Sequence, residues 1–88
     1  MSSTPLITIL LIEDDARLAQ LTSDYLQRHN FLVSWLSDGN RGLEAVQRQR
    51  YDVVLLDVML PGRSGFEVCR ELRATSDIPV ILLTARAE

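Results

Sequence analysis

The chain has 88 residues, is 47% apolar and carries a formal net charge of −3. That apolar content excludes a disordered tail, and the acidic balance argues against a nucleic-acid surface on this segment itself. No apolar run is long enough to span a bilayer, and the single cysteine, Cys69, cannot close an internal disulfide, so the expected compartment is the reducing cytoplasm. The opening Met1-Ser2-Ser3-Thr4-Pro5 lacks the basic segment of a signal peptide. All nine basic residues are arginine.

Leu6 to Ile12 reads as a first strand and runs into Glu13-Asp14-Asp15. From Asp15 to about His29 the period changes to that of a helix, with Leu18, Leu21, Tyr25 and His29 on one face. Asp14 or Asp15 suits the N-cap, and His29 suits the helix end near the C-terminal dipole. Phe31 to Leu36 reads as a second strand, with Trp35 as a packing residue. Ser37-Asp38-Gly39 turns the chain into a second helix, with Leu43 and Val46 facing inward.

Asp52 to Asp57 is a third strand whose aliphatic, β-branched content suits the sheet centre. Leu60-Pro61-Gly62-Arg63-Ser64-Gly65 is a loop shaped by its Pro and Gly residues. Phe66, Cys69 and Leu72 mark a third helix, with Cys69 a packed residue. Pro79 to Thr84 reads as a fourth strand. Strand–helix alternation of this kind implies a parallel sheet. Ala85-Arg86-Ala87-Glu88 follows the fourth strand without a further helix, so a truncated domain is expected.

Two apolar strands thus end in acid: the first in Glu13-Asp14-Asp15, the third in Asp57. In an open parallel α/β sheet the carboxyl ends of neighbouring strands face one crevice, where ligands bind. Carboxylates gathered there repel one another unless a cation lies between them. The pattern points to a divalent-metal site containing a reactive aspartate. Gly39-Asn40-Arg41-Gly42 is too short for a dinucleotide fingerprint, and no Walker-A pattern is present.

Ile12-Glu13-Asp14-Asp15, the run Leu55-Leu56-Asp57-Val58-Met59-Leu60-Pro61-Gly62 with Gly65, and Leu83-Thr84-Ala85 together resemble the receiver domain of bacterial two-component response regulators. The wording is similar to the branch whose receivers precede a winged-helix DNA-binding domain. The resemblance covers nearly the whole chain. It implies a flavodoxin-like, doubly wound parallel sheet in three layers, lacking its last strand and helices, with residues 1–88 as the N-terminal part of one receiver domain.

By the same resemblance, Asp57 accepts a phosphoryl group from a sensor histidine kinase. Asp14 is a direct Mg²⁺ ligand and Glu13 holds the metal through water. Met59 supplies its backbone carbonyl to the metal, and Thr84 is the switch hydroxyl. The lysine and the aromatic switch residue of the family have no counterpart up to Glu88. Mg²⁺ favours one or two carboxylates plus waters and phosphate oxygens, which Asp14 and Asp57 match. A Thr84 hydrogen bond to the phosphoryl group would contribute about 1.5–3 kcal/mol.

Blander readings stand beside these: Asp57 as a turn former, Met59 as core filler, Thr84 as a strand former. Two other functions are also open. One is a Mg²⁺-dependent phosphatase with an aspartyl-phosphate intermediate, although such enzymes carry a second aspartate where this chain has Met59. The other is a non-signalling fragment that self-assembles, as a homodimer or by strand exchange.

Overall fold

The computed structural model describes residues 6–83. Strands and helices alternate as β1 (Thr8–Ile12), α1 (Ala16–Arg28), β2 (Leu32–Leu36), α2 (Gly39–Arg48), β3 (Val53–Asp57), α3 (Gly65–Thr75) and β4 (Val80–Leu83). All strand pairs are parallel and the sheet order is β2-β1-β3-β4. This matches the first positions of the flavodoxin-like order, in which the chain reverses its winding between β1 and β3. The expected doubly wound sheet is therefore present.

The strand period of two divides the apolar residues between the faces. Leu10, Ile12, Val54 and Leu56 join Leu60, Val68 and Leu72 in the main core, against α2 and α3. Leu43, Val46 and Cys69 pack on this cluster half-buried, as the sequence suggests. Ile9 and Leu11 are buried on the opposite face, which α1 covers. Toward β3 and β4 that second face opens into an apolar groove of about 540 Å³, lined by Ile7, Ile9, Leu26, Val53, Leu55 and Ile81 among others.

One helix face, that of α1, differs from its expected orientation. In α1, Leu18, Leu21 and Tyr25 are exposed, and Ala19 is the fully buried residue. A small side chain lets the helix lie close to the sheet, so the inward stripe runs through Ala19 and half-buried Leu26. In α3 the buried stripe is Gly65, Val68 and Leu72, leaving Phe66 exposed. Trp35, expected to pack, is 42% exposed. His29 caps the C-terminus of α1, as expected, with its ring 4.6 Å from that of Tyr25.

Caps fix the helix starts. Asp15 accepts from the Leu18 N–H, Asp38 from the Asn40 N–H and Ser64 from the Glu67 N–H. The first and third caps direct the chain just after β1 and just after the β3–α3 loop, at the carboxyl edge of the sheet.

Candidate functional site

Glu13, Asp14 and Asp57 meet at the point where the winding reverses. One carboxylate oxygen from each lies within 4.8 Å of the others. Glu13 and Asp57 are nearly fully buried, at 3% and 5% exposure, whereas Asp14 faces solvent. The structure brings together these three acids that the sequence singles out.

Local hydrogen bonds hold each of them. The Glu13 N–H donates to the Leu36 carbonyl at 3.0 Å, extending the β1–β2 ladder by one residue. The Glu13 carboxylate accepts from the Asp15 N–H at 3.1 Å. Asp57 Oδ1 accepts from the Met59 N–H at 3.0 Å, an Asx-type turn that bends the chain out of β3. Met59 is expected to contribute through its backbone. Its side chain is 56% exposed, so it is not core filler. Thr84 lies outside the described residues.

Burial acts against ionisation of Glu13. Desolvation pushes its carboxyl up to about 7, assisted by the hydrogen-bonding approach and charge of Asp57 and by the charge of Asp14, and opposed by the Asp15 N–H. A site that makes a carboxylate hold its proton near neutrality is short of positive charge. All three donors are oxygen, which suits a hard divalent cation rather than a soft one. These residues therefore fit such an ion.

Beside the acids lies a cleft of about 570 Å³, lined by Asp14, residues 58–64 and Glu67. Its wall is the β3–α3 loop. Gly62 sits in the left-handed region at φ 78°, where a side chain would be strained. The Gly65 N–H closes the loop onto the Val58 carbonyl at 2.8 Å. Arg63 pins the loop from outside, donating to Asn40 Oδ1 at 2.7 Å and pairing with Glu71.

Sequence reasoning missed two further neighbours. Arg63 was legible only as part of a Pro/Gly loop, since Asn40 and Glu71 are brought to it by tertiary packing. Trp35 donates its indole N–H to the Glu13 carbonyl at 2.6 Å. Only the pairing of β2 beside β1, with Trp35 opposite Leu11, reveals that contact.

A doubly wound parallel sheet with an acidic cluster at its switch point defines a class of ligand-binding α/β domains. The sequence pattern of the response regulator receiver domain matches residues 9–88, and the chain belongs to that family. It is 45% identical over 80 residues to the DNA-binding response regulator MtrA of Mycobacterium tuberculosis, covering 91% of this chain and 35% of MtrA. The chain thus spans about a third of the length of the curated relatives it matches.

Among solved structures, it is similar to the response regulator TrrA of Thermotoga maritima in complex with Mg²⁺-BeF. The TM-score is 0.87 at 32% identity, covering 93% of this chain and 72% of that one. It is equally similar to TrrA in complex with the histidine kinase ThkA, with a TM-score of 0.88 at 32% identity, covering 94% and 72%. Among the described residues no helix is long and apolar enough to cross a membrane.

Proposed function

We propose that residues 1–88 form part of a receiver domain that accepts a phosphoryl group on Asp57, with Mg²⁺ bound by the acids around it. The observation that carries this reading is the convergence of Glu13, Asp14 and Asp57 within 4.8 Å at the switch point of the sheet. The donor is the phosphohistidine of a sensor histidine kinase, in keeping with the kinase complex of TrrA.

In the transfer, an Asp57 carboxylate oxygen attacks phosphorus. A phosphorus–oxygen bond forms as the phosphorus–nitrogen bond of phosphohistidine breaks. The electron pair leaves with the imidazole nitrogen, and the product is an acyl phosphate. The Met59 N–H fixes the orientation of the nucleophile by holding Asp57 Oδ1. Burial leaves little water around the Asp57 carboxylate before the transfer. Asp14, Asp57 and the Met59 carbonyl would hold Mg²⁺ directly and Glu13 through water. When bound, the ion neutralises charge between two anionic reactants. Thr84 is the hydroxyl that turns toward the phosphoryl group.

In the whole protein this event controls a C-terminal DNA-binding domain, a reading supported by relatives such as MtrA. The protein acts in the cytoplasm. The experiment is incubation of the chain with acetyl phosphate and Mg²⁺, read by intact-mass spectrometry. Phosphate should be incorporated by the unmodified protein and lost in Asp57→Asn. Equal incorporation by the variant overturns the assignment.

A homodimer is the second part of this proposal. Among the described residues β4 pairs with β3 on one side only, and Ile81 and Leu82 are exposed. An unpaired parallel edge beside an apolar groove is suited to a second copy, by edge contact or strand exchange.

A further inference from the structure

Trp35 lies at the carboxyl end of β2, an edge strand among the described residues, one residue before the strand ends. It is the chain's single tryptophan. At 42% exposure it is only partly buried. What it does make is a short hydrogen bond: the indole Nε1–H donates to the Glu13 carbonyl oxygen at 2.6 Å.

That carbonyl belongs to the peptide that joins Glu13 to Asp14. The Glu13 N–H on the other side of the residue donates to the Leu36 carbonyl at 3.0 Å. The last two residues of β2 therefore hold both backbone polar groups of Glu13. The Glu13 side chain is held in turn by the Asp15 N–H at 3.1 Å. With these atoms fixed, the peptide plane between Glu13 and Asp14 cannot rotate without breaking the indole bond. Rotation of that plane would swing the Asp14 carboxylate away from Asp57.

We propose that Trp35 is a positioning residue for the cation site, orienting the Glu13–Asp14 peptide so that both carboxylates converge with Asp57. The inference rests on the cation-site reading given under Proposed function. An indole is suited to this work. It is a donor without an acceptor, so it holds a carbonyl oxygen while offering no lone pair to the cation. It is also neutral, so it does not compete as a cation for the acids, as an arginine or lysine would. Groups that orient ligands in this way strongly influence metal affinity, and their removal typically weakens it about 10–100-fold.

The test uses the ¹⁵N-labelled chain and Mg²⁺ alone. A single tryptophan gives a single indole N–H resonance. That resonance should move during a Mg²⁺ titration, with the same dissociation constant as the backbone amides of Asp14 and Met59. Trp35→Phe keeps an aromatic ring and removes the donor. It should weaken Mg²⁺ binding by the folded protein about tenfold, whatever drop in the metal-free urea midpoint follows from the lost hydrogen bond. A merely structural anchor would leave the affinity of the folded fraction unchanged, which overturns the proposal.

If Trp35→Phe does not fold, the unmodified chain decides: an indole resonance indifferent to saturating Mg²⁺ refutes the role, and one that tracks the titration supports it. Failure of the unmodified chain to bind Mg²⁺ at all removes the cation-site reading and this inference together. Binding that ignores the loss of the indole removes this inference alone.

Discussion

Gly65 lies directly against the backbone of Asp57. A Cβ at Gly65 would collide with the Asp57 carbonyl oxygen and stand 2.8 Å from Val58 Cα. Both are backbone atoms, which cannot move aside as a flexible side chain would. The start of α3 is thus pressed onto the end of β3, the strand end that carries Asp57.

Gly65→Ala should therefore damage both stability and the site. Overpacking of this kind costs about 1–3 kcal/mol. Urea denaturation should show that loss, and phosphate incorporation from acetyl phosphate should slow even in conditions where the variant is fully folded. Unchanged values for both would show that the β3–α3 junction yields without displacing Asp57.

Glu13 predicts the pH dependence. Its carboxyl is raised from 4.5 to about 7 in the fold, chiefly by burial. Between those values the folded state binds more protons than the unfolded one, so stability falls as pH rises. The contribution is fully present below the unfolded value and is lost as pH rises through the folded one. Asp52 acts oppositely: the Thr8 N–H and hydroxyl lower its pKa from 3.8, so its contribution is lost only in more acidic solution. Thermal midpoints of the metal-free chain should decline from pH 5 toward pH 7.5. Saturating Mg²⁺ should flatten or reverse that slope, because the ion favours the ionised carboxylate. A metal-free midpoint that climbs across this window would contradict the burial effect assigned to Glu13.

Asp14 separates repulsion from binding. It is the exposed member of the cluster, so its removal leaves no buried cavity. Asp14→Ala should weaken Mg²⁺ binding by at least about tenfold. It should also raise metal-free stability by roughly 1 kcal/mol, which for a domain of this size is about 4–8 °C in midpoint. Calorimetric titration and thermal melts read the two effects independently. A variant that keeps full affinity would show that Asp14 is not a ligand.

The strands and the acidic site were legible because their signals are local. Val53-Val54-Leu55-Leu56 is aliphatic throughout, with Val54 and Leu56 buried in the main core and Val53 and Leu55 half-buried along the groove, and Asp57 follows it directly. Glu13 and Asp14 end β1 in the same way. Helix orientation was less legible, because size misleads where closeness matters. Leu21 and Tyr25 carry the apolar bulk of α1, yet small Ala19 faces the sheet. The contacts of Trp35 and Arg63 were not legible at all. Trp35 meets Glu13 only through the β1–β2 register, and Arg63 meets Asn40 and Glu71 only once α2 and α3 pack together.

The edge at β4 predicts how the chain associates. Ile81 is 53% exposed and lines the mainly apolar groove, whose other walls include Ile7, Ile9, Leu26, Phe31 and Asp52. Leu82 is exposed on the other face of the same strand. Among the described residues β4 is an uncharged aliphatic strand unpaired on one side, which offers another chain both a ladder and an apolar surface. Natural edges are commonly protected by an inward-pointing charge, and Val80–Leu83 carries none. The 88-residue chain should therefore run as a dimer or larger assembly in light scattering at micromolar concentration. Ile81→Lys places a charge in the groove and on the edge, and should shift the population to monomer. The metal site should remain intact, because Ile81 lies outside the acidic cleft. Mg²⁺ titration of the variant checks that its fold survives. A monodisperse monomer with cooperative unfolding from the unmodified chain would refute the association, and would show that the core around Leu10, Val54 and Leu56 is sufficient by itself.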